Sequence, residues 1–218
     1  MLNINSTLIK TTPQMNVLGI IFDSKLQWNE QVSNTIKKAN KALQAIRLIK
    51  NHFNHQELTT LLTSNFYSIL YYNSEIWHIP ALKPYLKNLI LAASSKALKI
   101  CDPYCPPHTS YLDLHSKNLR ATPAQFLMYK HSLLLYNVYN NHTPPTDWMD
   151  INFNQNFNSR DQNFRVFNNS NYKVGKNKIS ERLCILNGKI PLEWLNLEKD
   201  TFKINCKLKF LPQKQNIT

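Results

Sequence analysis

The chain has 218 residues, with 26 Lys and Arg against 13 Asp and Glu, so its formal net charge at pH 7 is +13. Hydrophobic residues make up 43% of the sequence, which suits a protein with a core and excludes a mainly disordered tail. No apolar run reaches the roughly 18 residues of a membrane-spanning helix, and the first residues lack the apolar stretch of a signal peptide. We therefore expect an intracellular protein, nuclear or cytoplasmic, that is not secreted and has no membrane partner. The charge suits a polyanionic partner, and scattered surface lysines are the alternative.

The first predicted element is a short apolar run at residues 17–22, with the sequence VLGIIF. It is rich in β-branched residues and is followed by Asp23 and Ser24, which is typical of a buried strand that ends in a turn. Its neighbours offer no strong partner. We expect this strand to be unpaired or to pair with a weak strand near residues 3–10.

A basic amphipathic helix is predicted from about Trp28 to Lys50. Apolar residues recur at steps of four and three on one face, namely Val32, Ile36, Ala39, Leu43 and Ile46. The candidate binding residues are basic, with Lys37, Lys38 and Lys41 on the opposite face and Arg47 and Lys50 flanking them. No acid occurs between Glu30 and Glu57. This pattern favours contact with a phosphate backbone, and an ordinary solvated helix face is the alternative.

Three further helices are predicted from their start signals. Asn54 followed by Glu57 has the spacing of a capping box, Thr122-Pro123-x-Gln125 is another helix start signal, and Pro84 suits the first turn of a helix. Apolar residues at helical spacing follow each signal, with Leu89 among those predicted for the stripe after Pro84. We interpret the tryptophans at 28, 77 and 194 as core residues, because each lies in an apolar context.

The segment 151–178 is rich in Asn and weakly periodic, which predicts a long loop. It carries the remaining candidate binding residues, Arg160, Arg165, Lys173, Lys176 and Lys178. Aromatic residues lie between them, and this mixture suits single-stranded nucleic acid, whose bases stack on aromatic rings. A linker whose aromatic residues pack locally is the other interpretation. A small helical tail is predicted at 179–218, with Asp200 as the cap of its last helix.

One cluster contains residue types that bind zinc. Cys101, Cys105 and His108 lie close together, and His115 follows. Their spacing differs from that of common zinc motifs, and three prolines stiffen the segment, so a Pro-rich loop with incidental thiols is the alternative. We assign no metal ligand and no cofactor to this chain.

Several of these segments, in this order, resemble the part of non-LTR (LINE- or jockey-like) retrotransposon reverse transcriptases that follows the polymerase palm. The first is the apolar strand, Asp turn and basic helix that begin at Val17-Leu18-Gly19 and pass through Trp28. The second is 67–77, with Leu70-Tyr71-Tyr72 and Trp77. The third is the tail, with Ile190-Pro191-Leu192-Glu193-Trp194-Leu195 and then Phe202-Lys203. The resemblance covers residues 13–211, although the family's Trp-Asn-x-Leu-Pro tail motif does not occur here.

The helical patterns and this resemblance together predict a mainly α fold, a helical thumb-like bundle with a short N-terminal β strand or hairpin. The resemblance implies a remnant of the palm edge at 1–27, a thumb-like domain at 28–150, the basic loop at 151–178 and the tail at 179–218. It also implies a fragment of an RNA-directed DNA polymerase that binds the RNA and DNA backbone of a template–primer duplex. The chain has no adjacent pair of acids, so we expect the catalytic carboxylates and their Mg²⁺ to belong to a palm that would be its partner.

Two other functions stay open. In the first, the chain is a helical protein-interaction module: a thumb separated from its palm exposes the apolar faces that the palm covered, and these faces would dock on another protein or a second copy. Alternatively, the chain is the non-functional remnant of a broken mobile element.

Overall fold

The computed structural model describes residues 2–4, 7–9, 12–79, 82–102, 105–106, 108–118, 120–140, 142, 152–153, 166–167, 186 and 188–212. The chain divides into two compact units. Unit 1 comprises Met1–Asn73 and Leu82–Ala93, and unit 2 comprises Ser74–Ala81 and Ser94–Thr218. The described part is mainly helical with short antiparallel hairpins, which confirms the predicted fold class.

Unit 1 places two short hairpins before its helices. Its elements are β1 (Leu2–Ile4), β2 (Thr7–Ile9), β3 (Gln14–Val17), β4 (Ile20–Asp23), α1 (Asn29–Ile49), a 3₁₀ turn (Lys50–His52), α2 (His55–Leu61), a π-helical segment (Leu62–Tyr67) and α3 (Ser68–Leu70). Unit 2 begins with α4 (Ser74–Trp77), and α5 (Pro84–Cys101) starts in unit 1 and ends in unit 2. The later elements are α6 (Tyr111–Lys117), α7 (Pro123–Tyr139), β5 (Asn152–Phe153), β6 (Val166–Phe167), a 3₁₀ helix (Leu192–Asn196) and α8 (Lys199–Phe210).

The single strand predicted at 17–22 is wrong, because Leu18 and Gly19 form the turn of a hairpin. β3 pairs antiparallel with β4, and Val17 lies opposite Ile20, which leaves a two-residue loop. Leu18 has a φ of 49° and Gly19 a φ of 81°. Two positive φ values are required by the type I′ turn, whose twist matches that of the paired strands. The predicted partner near residues 3–10 is also wrong, because β1 pairs with β2. Gly19, an isolated glycine within the apolar run, was the sequence signal that the strand is interrupted there.

The predicted amphipathic helix is confirmed as α1. Val32, Ala39, Leu43 and Ile46 are buried, and Ile36 is partly buried. Their face packs against β4 and the π-helical segment, so burial of this apolar stripe holds the helix in unit 1.

The three predicted helix starts are confirmed. Each depends on residues close in sequence, so the sequence alone could predict it. The N–H of Glu57 donates to Asn54 Oδ1 at 3.0 Å, and the N–H of Asn54 donates to Glu57 Oε2 at 2.8 Å. Thr122 and Gln125 form the same reciprocal pair at the start of α7, and α5 begins at Pro84. Most of the apolar stripe predicted for α5 is buried, whereas Leu89 is exposed.

Two helix starts were not predicted correctly. α6 was missed, although Ser110 caps it and its hydroxyl accepts from the N–H of Asp113 at 3.1 Å. The cap predicted at Asp200 is wrong, because the cap position is Glu198, two residues earlier, and α8 begins at Lys199. Asp200 lies in the first turn, where its carboxylate accepts from Lys203 Nζ at 2.9 Å.

Unit 2 has a core where α7 meets α8 and the segment before it. Its buried residues are Leu135, Tyr136, Leu186, Ile190, Leu195, Phe202 and Cys206. The rings of Tyr136 and Phe202 lie 4.6 Å apart, and the Tyr136 hydroxyl donates to the carbonyl of Leu197 at 2.8 Å. Burial raises the pKa of the Cys206 thiol to about 11, so the thiol is protonated at neutral pH. No helix in the described part of the chain is long and apolar enough to cross a membrane.

Candidate nucleic-acid interface

The candidate interface is the basic face of α1, which we define as Lys37, Lys38 and Lys41. All three side chains are exposed, and Lys37 and Lys41 are one turn apart. None of the three forms a hydrogen bond or an ion pair with a residue that the structure describes. The face therefore presents three lysines to solvent without a compensating carboxylate from the described chain.

The two flanking residues do not extend this face equally. Arg47 is exposed and Lys50 partly so, but Arg47 lies nine positions after Lys38. Nine residues at 3.6 per turn place the two about 180° apart around the helix axis. Arg47 therefore points to the opposite flank of α1, and a straight backbone that contacts Lys38 does not reach it.

Unit 1 has three acids in its described part, and two of them are bound to backbone. Asp23 binds N–H groups before α1, and Glu57 closes the capping box of α2. Glu30 is exposed in the first turn of α1, where the helix dipole favours a negative charge. None of the three forms an ion pair with a basic-face lysine, so the local potential stays positive.

The turn before α1 is held by the Asp23 carboxylate. Its Oδ1 accepts from the N–H of Lys25 at 3.1 Å and of Gln27 at 3.0 Å, and its Oδ2 accepts from the N–H of Trp28 at 2.8 Å. Burial raises the pKa of Asp23, but the combined backbone hydrogen bonds outweigh it, and the net pKa is lowered. The same turn holds Leu26 and Trp28 at positive φ values of 50° and 64°. Asp23 thereby fixes where α1 starts.

Two of the three tryptophans predicted as core residues are fully buried. Trp28 is 1% exposed and meets Phe22 edge-on at 5.4 Å, and Trp77 has no exposed surface. Trp194 is only partly buried, and Lys209 Nζ lies 5.4 Å from its ring centroid. Neither Trp28 nor Trp77 offers a ring on which a base stacks.

A surface cavity of about 400 Å³ borders the basic face. It is lined by Leu18, Gly19, Gln31, Asn34, Thr35, Lys38, Ser68, Ile69 and Tyr72, which are all residues of unit 1. Of these residues, only Lys38 was predicted from the sequence as a candidate binding residue. Asn34, one turn before Lys38, was the available signal for a polar edge beside the lysines.

The five basic residues predicted between 160 and 178 lie outside the described residues. Within 151–178 the structure describes β5 and β6, which pair antiparallel so that Asn152 lies opposite Phe167. The structure therefore reports nothing on Arg160, Arg165, Lys173, Lys176 and Lys178.

Cys101, Cys105, His108 and His115 are the Cys/His cluster noted in the sequence. Among the residues that the structure describes, no three His, Cys, Asp or Glu side chains come together in a group that could hold a metal ion. Cys101 and His115 are buried, and His115 Nδ1 lies 3.1 Å from the carbonyl of Ala121. Burial lowers the pKa of His115, which outweighs the opposing backbone contacts and favours the neutral ring. His115 is thus a buried residue of α6 that contacts the segment before α7.

The comparisons with known proteins found no relative from which to assign a family. No family model, no curated protein and no solved structure matches the chain.

Proposed function

We propose that the basic face of α1 binds the sugar–phosphate backbone of nucleic acid without sequence preference. The observation that carries the proposal is the group of three exposed lysines, none of which has an acidic partner in the described chain. Lysine contacts to phosphate fix the position of a protein on a nucleic acid and carry no base information. Each contact also releases a condensed counterion, which makes binding depend steeply on salt.

We propose further that the chain is the thumb-type fragment of a retrotransposon RNA-directed DNA polymerase and that it grips an RNA–DNA duplex. The proposal rests on the resemblance and gains support from the contact between two of its segments. Tyr72, from the second segment, donates its hydroxyl to the carbonyl of Leu18, in the first, at 3.1 Å. Residues 54 positions apart thus pack together, beside the helix that carries the lysines.

The proposal is tested by fluorescence anisotropy of a labelled RNA–DNA hybrid duplex titrated with the full chain. We expect log Kobs to fall linearly with log salt concentration, with a slope of about −0.9 for each phosphate that is neutralised. A slope near zero between low and physiological salt would contradict the proposal.

The residues are tested by the charge-reversal variant K37E/K38E/K41E. It is expected to lose most of the binding and about 3 units of the salt slope, because three phosphate contacts are removed. The matched control is K96E/K99E/K199E, which changes the net charge by the same amount at exposed positions of unit 2. Equal loss in both variants would show that net charge alone, and not this face, is responsible.

A second candidate, the interaction module, is favoured by the outer strand of the hairpin. Met15 and Val17 lie opposite Phe22 and Ile20, so all four share one face, yet Ile20 is buried whereas Met15 is 57% exposed. An exposed apolar strand favours association with a second copy of the chain. Size-exclusion chromatography with light scattering tests this candidate, and a monomer at all accessible concentrations removes it.

A further inference from the structure

We propose that the cavity beside the basic face binds one nucleotide unit, with the base against Tyr72 and the phosphate at Lys38. The inference rests on the proposed function, because it assigns a second, base-contacting element to the same surface. The shared chemistry is a purine or pyrimidine ring that carries a phosphate. A free nucleotide and an unpaired nucleotide of a strand both supply it.

The cavity is built by three parts of unit 1 that the chain brings together. The hairpin turn contributes Leu18 and Gly19, α1 contributes Asn34 and Lys38 among others, and the helix after the π-helical segment contributes its exposed side. π-helical turns insert an extra residue into a helix and shift the phase of the residues that follow, and they occur often at functional sites. Here Ser68, Ile69 and Tyr72, which follow the π-helical segment, line the same wall.

The aromatic wall is fixed in place. The Tyr72 hydroxyl bonds the Leu18 carbonyl, and a Cβ at Gly19 would lie 3.7 Å from Tyr72 Cε1, so the ring packs on the glycine. Tyr72 nevertheless remains 49% exposed. A ring that is held at one edge and exposed elsewhere offers a stacking surface, and stacking on aromatic side chains accepts any base.

Polar groups lie beside this wall. The side chains of Asn34 and Lys38 form no hydrogen bond or ion pair with another residue that the structure describes. A carboxamide carries both donors and an acceptor and pairs best with the edge of adenine, and an ammonium group suits phosphate. No acid lines the cavity among the described residues. This combination favours a ligand that is both heterocyclic and anionic.

The backbone at the rim is strained, as is common at binding sites. Leu18 has a positive φ although it is not glycine, and its side chain is 83% exposed. The volume of about 400 Å³ lies at the lower end of the range of roughly 300–1,000 Å³ that small-molecule sites occupy. That size suits one nucleotide.

The test uses the full chain with adenosine 5′-monophosphate and adenosine as probes, followed by saturation-transfer NMR and by titration of amide shifts. We expect the monophosphate to bind about tenfold more tightly than adenosine, and K38Q to remove that difference. The blocking variant is Ser68→Trp, which fills the cavity from an exposed position. The matched control is Ser64→Trp, one turn earlier, where another exposed serine also bonds a carbonyl four residues back and does not line the cavity.

The source of the nucleotide is tested by comparing a blunt RNA–DNA hybrid with one that has an oligo(A) overhang. If the ligand is part of a strand, the overhang strengthens binding about tenfold and S68W removes the gain. If it is a free nucleotide, the overhang adds nothing and the monophosphate signal is still lost in S68W. Either result supports the site. The variant K37E/K41E is expected to weaken binding of the blunt duplex and to leave both the monophosphate binding and the gain from the overhang in place. The proposal is overturned if S68W and S64W behave alike, whatever the duplex result, so its failure is separate from failure of backbone binding.

Discussion

The carboxamide oxygen of Gln31 accepts a hydrogen bond from the backbone N–H of Ile21 at 2.8 Å. The same side chain donates from Nε2 to the Thr35 hydroxyl at 3.1 Å, and Gln31 is buried. β4 is thereby tied to α1 by a polar contact inside an otherwise apolar interface. A buried amide whose bonding is satisfied costs little, whereas one that loses its partner costs its full desolvation.

Replacement of Gln31 by Leu is expected to lower the free energy of unfolding by about 1–3 kcal/mol, because the partly buried Ile21 N–H loses its acceptor. Urea denaturation followed by tryptophan fluorescence measures the change. Gln44→Leu, at an exposed position of the same helix, is the control and is expected to stay within about 0.5 kcal/mol of the wild type. Equal effects of the two substitutions would contradict a role for the Ile21 contact.

Asp23 is expected to make stability depend on pH in the acid range. Its pKa is lowered in the folded chain, so its contribution is fully present above the ordinary value of 3.8 and is lost as the pH falls through the lower folded value. Asp23→Ala is expected to cost about 1–3 kcal/mol at pH 7, because three backbone N–H groups lose a charged acceptor.

Urea titrations between pH 7 and pH 2 measure this dependence, with Asp23→Asn as the matched variant. The asparagine keeps one acceptor oxygen and does not titrate. The difference in unfolding free energy between wild type and D23N is therefore expected to shrink as the pH falls below about 4. A difference that stays constant with pH would contradict the lowered pKa of Asp23.

Two substitutions in the turn between β3 and β4 are expected to change the stability of the fold in opposite directions. Gly19→Ala is expected to destabilise by about 1 kcal/mol because of its positive φ, since a Cβ there meets only an ordinary contact with Tyr72. Leu18→Asn is expected to stabilise by up to about 1 kcal/mol, because Asn tolerates positive φ and Asn-Gly is the preferred sequence for this turn. Thermal denaturation measured by circular dichroism tests both, and shifts of the same sign would show that the turn geometry is wrong.

The core of unit 2 is tested through Phe202. Phe202→Ala removes a fully buried ring next to Tyr136 and is expected to cost about 3–5 kcal/mol in the unfolding of that unit. Ile204→Ala lies on the exposed side of the same helix and is expected to cost less than about 1 kcal/mol. Hydrogen exchange of α7 and α8 amides follows the effect in that unit, and unchanged protection in F202A would argue against this core.

The sequence by itself determined the helices whose signals are local. The capping pairs at Asn54 and Thr122, the proline at Pro84 and the apolar stripe of α1 each act within a few residues, so periodicity and capping rules identify them. The exposure of Lys37, Lys38 and Lys41 follows from the same periodicity, because burial of one face leaves the opposite face in solvent.

Only the tertiary structure decided where the hairpin turns and what stands beside the lysines. Leu18 is a poor residue for a positive φ, and local propensity favours a continuous strand there. The turn is found where Tyr72 bonds the Leu18 carbonyl and Gln31 bonds the Ile21 N–H. The cavity depends on the same contacts, because its walls come from three separate segments of the sequence, at 18–19, 31–38 and 68–72. Such contacts leave no periodic trace in either segment, since each is set by how three elements pack together.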